Sequence, residues 1–242
     1  MTTSIAFTIP AATMKALALF AAEKDIRYYL KGVCVDLHTF GQPVLVATDG
    51  HRMIAVHTHQ AAGCDIPELE TWPISCPAEC LVPLDLIKAI KPGTKGHVRV
   101  TLSDIVTPEP TKFDANPKPM FSRVTLSAIG GPEVSGKPLD GKSPDWRRVI
   151  PATSAAVMVP FDVRSINLDY LHDARTALQL LGLVSSKYAG LPSYMGAYIS
   201  AGPVPTLDDL RERGADAHRC PLTMPLTSGV QIVVMPLRRT FG

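Results

Sequence analysis

This chain of 242 residues has no apolar run long enough to span a bilayer, and its N-terminus lacks the basic-then-apolar pattern of a secretory signal. A soluble, cytoplasmic protein without membrane partners is therefore expected. Charge of one sign is scarce as well: 24 Lys and Arg against 22 Asp and Glu leave a formal net charge of +2. So small an excess supplies no bulk field for nucleic acid, and any such contact has to come from local clusters of Lys and Arg. The 5 cysteines (Cys34, Cys64, Cys76, Cys80, Cys220) are an odd count without framework spacing and read as reduced thiols. Cys76 and Cys80 form a C-x-x-x-C that no second pair follows, so core and surface thiols are expected there rather than a metal site. Also missing are the G-x-S-x-G, H-E-x-x-H and dinucleotide-binding fingerprints. No paired carboxylates stand in a cleft-like setting either. No catalytic residue, metal or cofactor is expected, and the enzyme class is set aside.

What the chain does have is core. Hydrophobic residues make up 46% of it, ample for one large domain or two ordinary ones. "FTIPAATMKALALFAAEKD" opens as an alternating strand, and Pro10 then suits the first turn of a helix whose apolar face carries Met14, Leu17, Ala18 and Ala21. "IRYYLKGVCVDL" reads as strand from its aromatic and β-branched content. "PVLVATDGHRMIAVHTH" reads as two strands joined at Asp49-Gly50. The result is a β-α-β-β-β unit. "ISCPAECLVPLDLIKAIKPGTKGHVRVTL" restarts it with a strand, a helix between Pro83 and Pro92, and the alternation of Val98, Val100 and Leu102. "SRVTLSAIGG" adds a strand, which suggests an internal duplication. The Gly- and Pro-rich "GGPEVSGKPLDGKSPDW" reads as a loop before the last third. There Asn167 caps a helix stopped by Gly182, "TLDDLRERG" offers a short helix, and "SGVQIVVMPLRR" a final strand.

Two stretches imitate chemistry. "GPEVSGKP" approaches a phosphate-binding loop, but Pro138 stands where a Ser or Thr hydroxyl is needed and no helix follows, so nucleotide binding is not expected. His57 and His59 share a face if both lie on a strand, yet no third ligand type is near, and an exposed edge is the plainer reading. "ATDGHRMIAV" poses the sharper question, since Asp, Gly, His and Arg interrupt an apolar strand pair. A catalytic cluster, a tight turn and a pocket wall are the alternatives. A turn plus a pocket wall fits best, with the stem of Arg52 lining a groove and its head in water.

That cluster has company. "ATMK" (12–15), "DIRYYLKGV" (25–33), "ATDGHRM" (47–53), "PDWRRVIP" (144–151) and "VVMPLR" (233–238) occur in this order and together resemble the bacterial DNA polymerase III beta sliding clamp family. The resemblance runs from Ile5 to about Pro151 against the middle of the family's three domains. It resumes near Val159 and continues to Arg238 against the second half of the third. It implies an α+β, DNA-clamp-like fold of repeated β-α-β-β-β units, with antiparallel sheets and helices on one face. It also implies a shortened chain: 1–143 middle-domain-like, 144–151 a linker, and 152–242 a partial third domain, without the family's first domain.

The family binds short peptides of polymerases and repair proteins in a groove between its middle and last domains. Carried over by position, the resemblance implies a peptide groove of Leu30, Thr48, Gly50, His51, Arg52 and Met53, then Pro144, Arg148 and Val149, then Val233, Val234, Met235, Pro236, Leu237 and Arg238. Met53 and Leu237 replace other aliphatic residues common in the family. An apolar floor with a polar rim suits a Leu or Phe anchor, worth about 1.5–3 kcal/mol when buried. Two or three anchors with backbone bonds reach about micromolar affinity, near 8 kcal/mol. The alternative is that these residues only form a domain interface. The resemblance also implies sequence-independent contacts to double-stranded DNA, for which Lys24 is the positional match. Lys15, Arg27, Lys88, Lys91, Lys95 and Arg175 are further candidates. Whether the chain closes a homo-oligomeric ring, or acts as a non-encircling peptide-binding adaptor or competitor of a host clamp, stays open at the level of sequence. A trimer, a tetramer and a monomer or dimer with edges blocked by the Pro-rich loops are all compatible with it.

Overall fold

Strand β1 (Ile5–Pro10) buries Ile5, Phe7 and Ile9 on one face, as the period of two requires. Pro10 ends it with φ −58° and occupies the N-cap of helix α1 (Ala11–Ala18), where Met14 and Leu17 turn inward. The computed structural model describes residues 4–38, 42–65, 77–90, 96–107, 109–110, 118–150, 157–158, 167–183, 198–199, 222–227 and 229–235. The short helix expected at "TLDDLRERG", Cys76 and Cys220 lie outside them.

β2 (Gly32–Asp36), β3 (Val44–Thr48) and β4 (Arg52–His57) complete the first β-α-β-β-β unit. The expected strand through "IRYYL" is corrected: Tyr28–Leu30 is a single 3-10 turn. Asp25 Oδ1 accepts from the Arg27 amide at 2.7 Å and bends the chain there, so aromatic content alone was a false strand signal. The second unit follows as β5 (Glu79–Pro83), α2 (Leu84–Ile90), β6 (His97–Val106), β7 (Met120–Ala128) and β8 (Glu133–Gly136). β8 corrects the expected loop. The resemblance to a phosphate loop at 131–138 thus falls on a strand paired antiparallel to β7.

The units exchange their first strands. β1 pairs with β6 of the second unit, and β5 pairs with β2 of the first. One sheet therefore runs β1-β6-β7-β8 and the other starts β5-β2-β3-β4. The larger sheet continues β4-β12-β11-β10-β9, where β12 is Val230–Val234, β11 Leu222–Thr227, β10 Tyr198–Ile199 and β9 Val157–Met158. Every pairing is antiparallel.

Helix α3 (Leu168–Leu180) is capped as expected: Asn167 accepts from the Asp169 amide at 2.9 Å. It ends with Gly182 at φ +71° and a Leu183 amide donating to the Leu178 carbonyl at 2.9 Å. α1, α2 and α3 contribute to one core with Val33, Val35, Leu45, Ile54, Val56 and Ile232 of the larger sheet and with the inner face of the smaller one. Strand alternation sends Cys34, Val46, Met53, Ala55, Leu81 and Val233 to the opposite face, where a second apolar cluster forms around Trp146. The candidate site opens on that second face.

Candidate functional site

The β3–β4 turn is built from its own polar side chains. Asp49 Oδ1 accepts from the amides of His51 (2.8 Å) and Arg52 (3.0 Å), and Thr48 Oγ1 accepts from the Gly50 amide at 3.0 Å while donating to the Arg52 carbonyl at 2.7 Å. Gly50 sits at φ +89°, and a Cβ there would come within 2.8 Å of Arg27 Nη1. Asp-Gly is thus demanded by both conformation and space. Register carries the consequence across the sheet. Thr48 is paired with Met53, and Met53 with Val233, so these three form one row on the face away from the helices. The Met235 amide donates to the His51 carbonyl at 2.7 Å and brings the Met235 side chain to the end of that row.

A pocket of about 270 Å³ stands on this row. Met53, Val233 and Met235 line it from the sheet, with Thr48 and Gly50 at the turn. Leu30, Tyr29 and Arg27 close one side from the 3-10 turn and the residue before it, and Pro144, Asp145, Trp146 and Val149 close the other. Its size suits one or two apolar side chains.

Most of the residues proposed from sequence therefore converge, with particular exceptions. Val234 is fully buried in the helix-side core, because its neighbour Val233 takes the pocket face. Arg148 and His51 are exposed and outside the lining; the His51 ring instead stacks 6.3 Å from Tyr170 of α3. Pro236, Leu237 and Arg238 lie outside the described residues. Arg52 touches the pocket, but its head is not in water as expected. It bonds Asp49 Oδ2 (3.0 Å), Asp173 and the Leu19 carbonyl (2.8 Å), and lies over the rings of Phe20 and Tyr170. Strand alternation from Met53 sends it to the helix side.

Tyr29, Asp145 and Trp146 were missed. Trp146 sits within the "PDWRRVIP" segment, and its size and aromaticity were the available signal. Its indole donates to Asp36 Oδ2 at 2.6 Å, and Arg147 Nη1 donates to the same oxygen at 2.6 Å while its guanidinium lies 4.5 Å over the indole. Asp36 Oδ1 accepts from the His38 amide (3.0 Å) and contacts His38 Nδ1 (2.9 Å). Burial works against the charge of Asp36, but the bonds from Arg147, the His38 amide, Trp146 and the His38 ring outweigh it and hold the carboxyl at about 2.

Of the candidate DNA contacts, Arg27 instead belongs to the pocket wall, tied to Asp25 (3.0 and 2.7 Å) and the Asp49 carbonyl (3.2 Å). Lys88 pairs with Glu23. Lys24 is exposed but borders a polar hollow of about 530 Å³ with Glu23, Asp25, Asp49 and Asp173. Lys15 on α1 is partly exposed, and Arg175 lies half-buried in α3. Lys91 and Lys95 lie outside the described residues.

No group of His, Cys, Asp or Glu among the described residues could hold a metal. His57 and His59 stack edge-on at 6.0 Å instead. Burial pushes the Cys34 and Cys80 thiols up, Cys80 to about 12, and Cys64 to about 11. Among the described residues no helix is long and apolar enough to cross a membrane.

No family model matches the chain. It is 29% identical over 156 residues to the "Beta sliding clamp" of Escherichia coli (strain K12), covering 61% of this chain and 34% of that one. Identity to the Salmonella typhimurium (strain LT2) beta sliding clamp is 28% over 155 residues. The chain thus spans about a third of the curated relatives it matches. Among solved structures, the DNA polymerase sliding clamps of Pseudomonas aeruginosa (TM-score 0.53, 16% identity) and Caulobacter crescentus (TM-score 0.53, 17% identity) share its fold. They cover 97% and 98% of this chain, which in turn covers 67% and 66% of theirs. In sequence over much of its length, and in fold over nearly all of it, the chain is similar to the bacterial beta sliding clamp.

Proposed function

We propose that this chain is a sliding-clamp-like replication protein whose pocket takes short peptides of DNA polymerase and repair partners and tethers them to double-stranded DNA without sequence specificity. The observation that carries the reading is the row Thr48–Met53–Val233, extended by Met235 and walled by Leu30 and Val149 into a largely apolar pocket. Such a site rewards one or two buried aliphatic or aromatic anchors. In this reading residues 1–143 act as a middle-domain-like body, 144–151 as a linker that supplies one pocket wall, and 152–242 as a partial third domain. The test is titration with a labelled clamp-binding peptide carrying Leu and Phe. Met235→Asp should weaken binding by at least tenfold while the thermal midpoint stays in place. Unchanged binding sinks the assignment.

The second reading is a non-encircling adaptor or competitor that engages the same peptides. It is favoured by the charges around the helices: Lys88 is paired with Glu23, Arg27 turns to the pocket, and Lys24 shares its hollow with Glu23, Asp25, Asp49 and Asp173. Light scattering across a concentration series separates the two. A closed trimer or tetramer supports an encircling clamp, whereas a monomer or open dimer supports the adaptor.

A further inference from the structure

We propose that Asp36 is the positioning residue of the pocket, acting through Trp146 and Arg147 to hold the 3-10 turn Trp146–Val149 as one pocket wall. The proposal rests on the peptide-pocket reading for its affinity arm only. Asp36 ends β2 on the sheet face that carries the pocket, yet it is not itself among the lining residues. Its side chain is 3% exposed, and each carboxylate oxygen serves two partners: Trp146 and Arg147 on one, the amide and ring of His38 on the other. A buried carboxylate satisfied this fully fixes the direction of the groups that donate to it. Apolar packing buries the Trp146 ring and seats Val149 and Ile150 against the sheet, but packing alone does not set the direction of the indole N–H. The turn's N-cap residue, Asp145, makes no side-chain capping bond, and the backbone bonds at its two ends are long, 3.3 Å from the Arg148 amide to the Asp145 carbonyl and 3.2 Å from the Ile150 amide to the Arg147 carbonyl. His57 adds an edge-on contact to the indole at 6.0 Å, packing the ring from the β4 side. Packing buries the wall, and two bonds to one anion aim it.

The chain's second tryptophan, Trp72, is replaced by Phe so that emission reports Trp146 alone. In that background Asp36→Asn should shift Trp146 emission to the red, raise its quenching by acrylamide and weaken the labelled peptide by about tenfold, equal to about 1.4 kcal/mol. Trp146→Phe keeps a ring in the wall but removes the donor, so its effect on affinity and that of Asp36→Asn should fall well short of adding. Arg147→Gln, at a half-exposed side chain, guards against a misfolded Asp36 variant and should raise quenching with about a threefold weaker peptide. Additive losses at Asp36 and Trp146, or unchanged emission and quenching in both Asp36→Asn and Arg147→Gln, overturn the proposal. If Asp36→Asn does not fold, unchanged emission and quenching in Arg147→Gln alone overturns it. Should the parent fail to bind the peptide, the pocket reading falls, and the emission and quenching results decide Asp36 by themselves.

Discussion

Arg52 and Asp173, separated by 121 positions in the chain, form an ion pair that ties the β3–β4 turn to helix α3. The guanidinium is 11% exposed and is shared with Asp49 and the Leu19 carbonyl, so α1, the turn and α3 meet at one cation. Replacing it by an apolar side chain of similar length leaves Asp49 and Asp173 without their counter-charge. Arg52→Met should cost about 1–3 kcal/mol of unfolding free energy, read from urea titration. A loss of only about 0.5 kcal/mol would mark the pair as an ordinary screened surface bridge.

Gly50→Ala forces a side chain into positive φ and against Arg27 Nη1 at 2.8 Å. A destabilisation of about 1–3 kcal/mol is expected. Because Arg27 has to move and it lines the pocket, peptide affinity should fall as well. A thermal melt and a peptide titration on the same variant check both. Loss of stability without loss of affinity would separate the turn from the pocket.

Acid should loosen the sheet at Asp36. Its carboxyl is held at about 2 against an ordinary 3.8, so the folded state favours the charged form. That stabilisation is fully present above the ordinary value and is lost as pH falls through about 2. The shift corresponds to about 2 kcal/mol. Denaturant midpoints measured from pH 5 down to pH 2 should decline more steeply for the parent than for Asp36→Asn. Parallel curves would show that Asp36 is not the responsible group.

Lys24→Glu should weaken association with random-sequence duplex DNA at low salt more than Lys88→Glu, since Lys88 is already engaged by Glu23. Each phosphate left without its cation should lower the salt slope by about 0.9. Fluorescence anisotropy across a salt series measures it. No change in either variant would mean that α1, α2 and their loops do not face DNA.

The repeat was legible because its signals are local: alternation in β1 and β6, Pro10 before α1, Asn167 and Gly182 around α3, and Asp49-Gly50 between β3 and β4. The exchange of β1 and β5 between units left no such trace, since pairing partners are not written in a strand's own pattern. β8 hid in a Gly- and Pro-rich stretch because it is an exposed four-residue edge with little apolar content. For the pocket, contiguous motifs were the guide, and contiguity ignores the pleat. That is why Val234 was grouped with Val233, and why Arg52 was placed in water rather than beneath Tyr170. Trp146 was legible as a residue but not as a wall, because its role depends on Asp36, 110 positions away.

The pairing of β4 with β12 makes the pocket a coincidence detector within one polypeptide. Met53 is synthesised long before Val233 and Met235, and until β12 docks, the floor is an open sheet edge with one row half filled. On the proposed reading, a partner peptide meets its site only on a chain whose distant strand has already found its register. Deletion of β12 should erase recognition without touching a residue of the first two units.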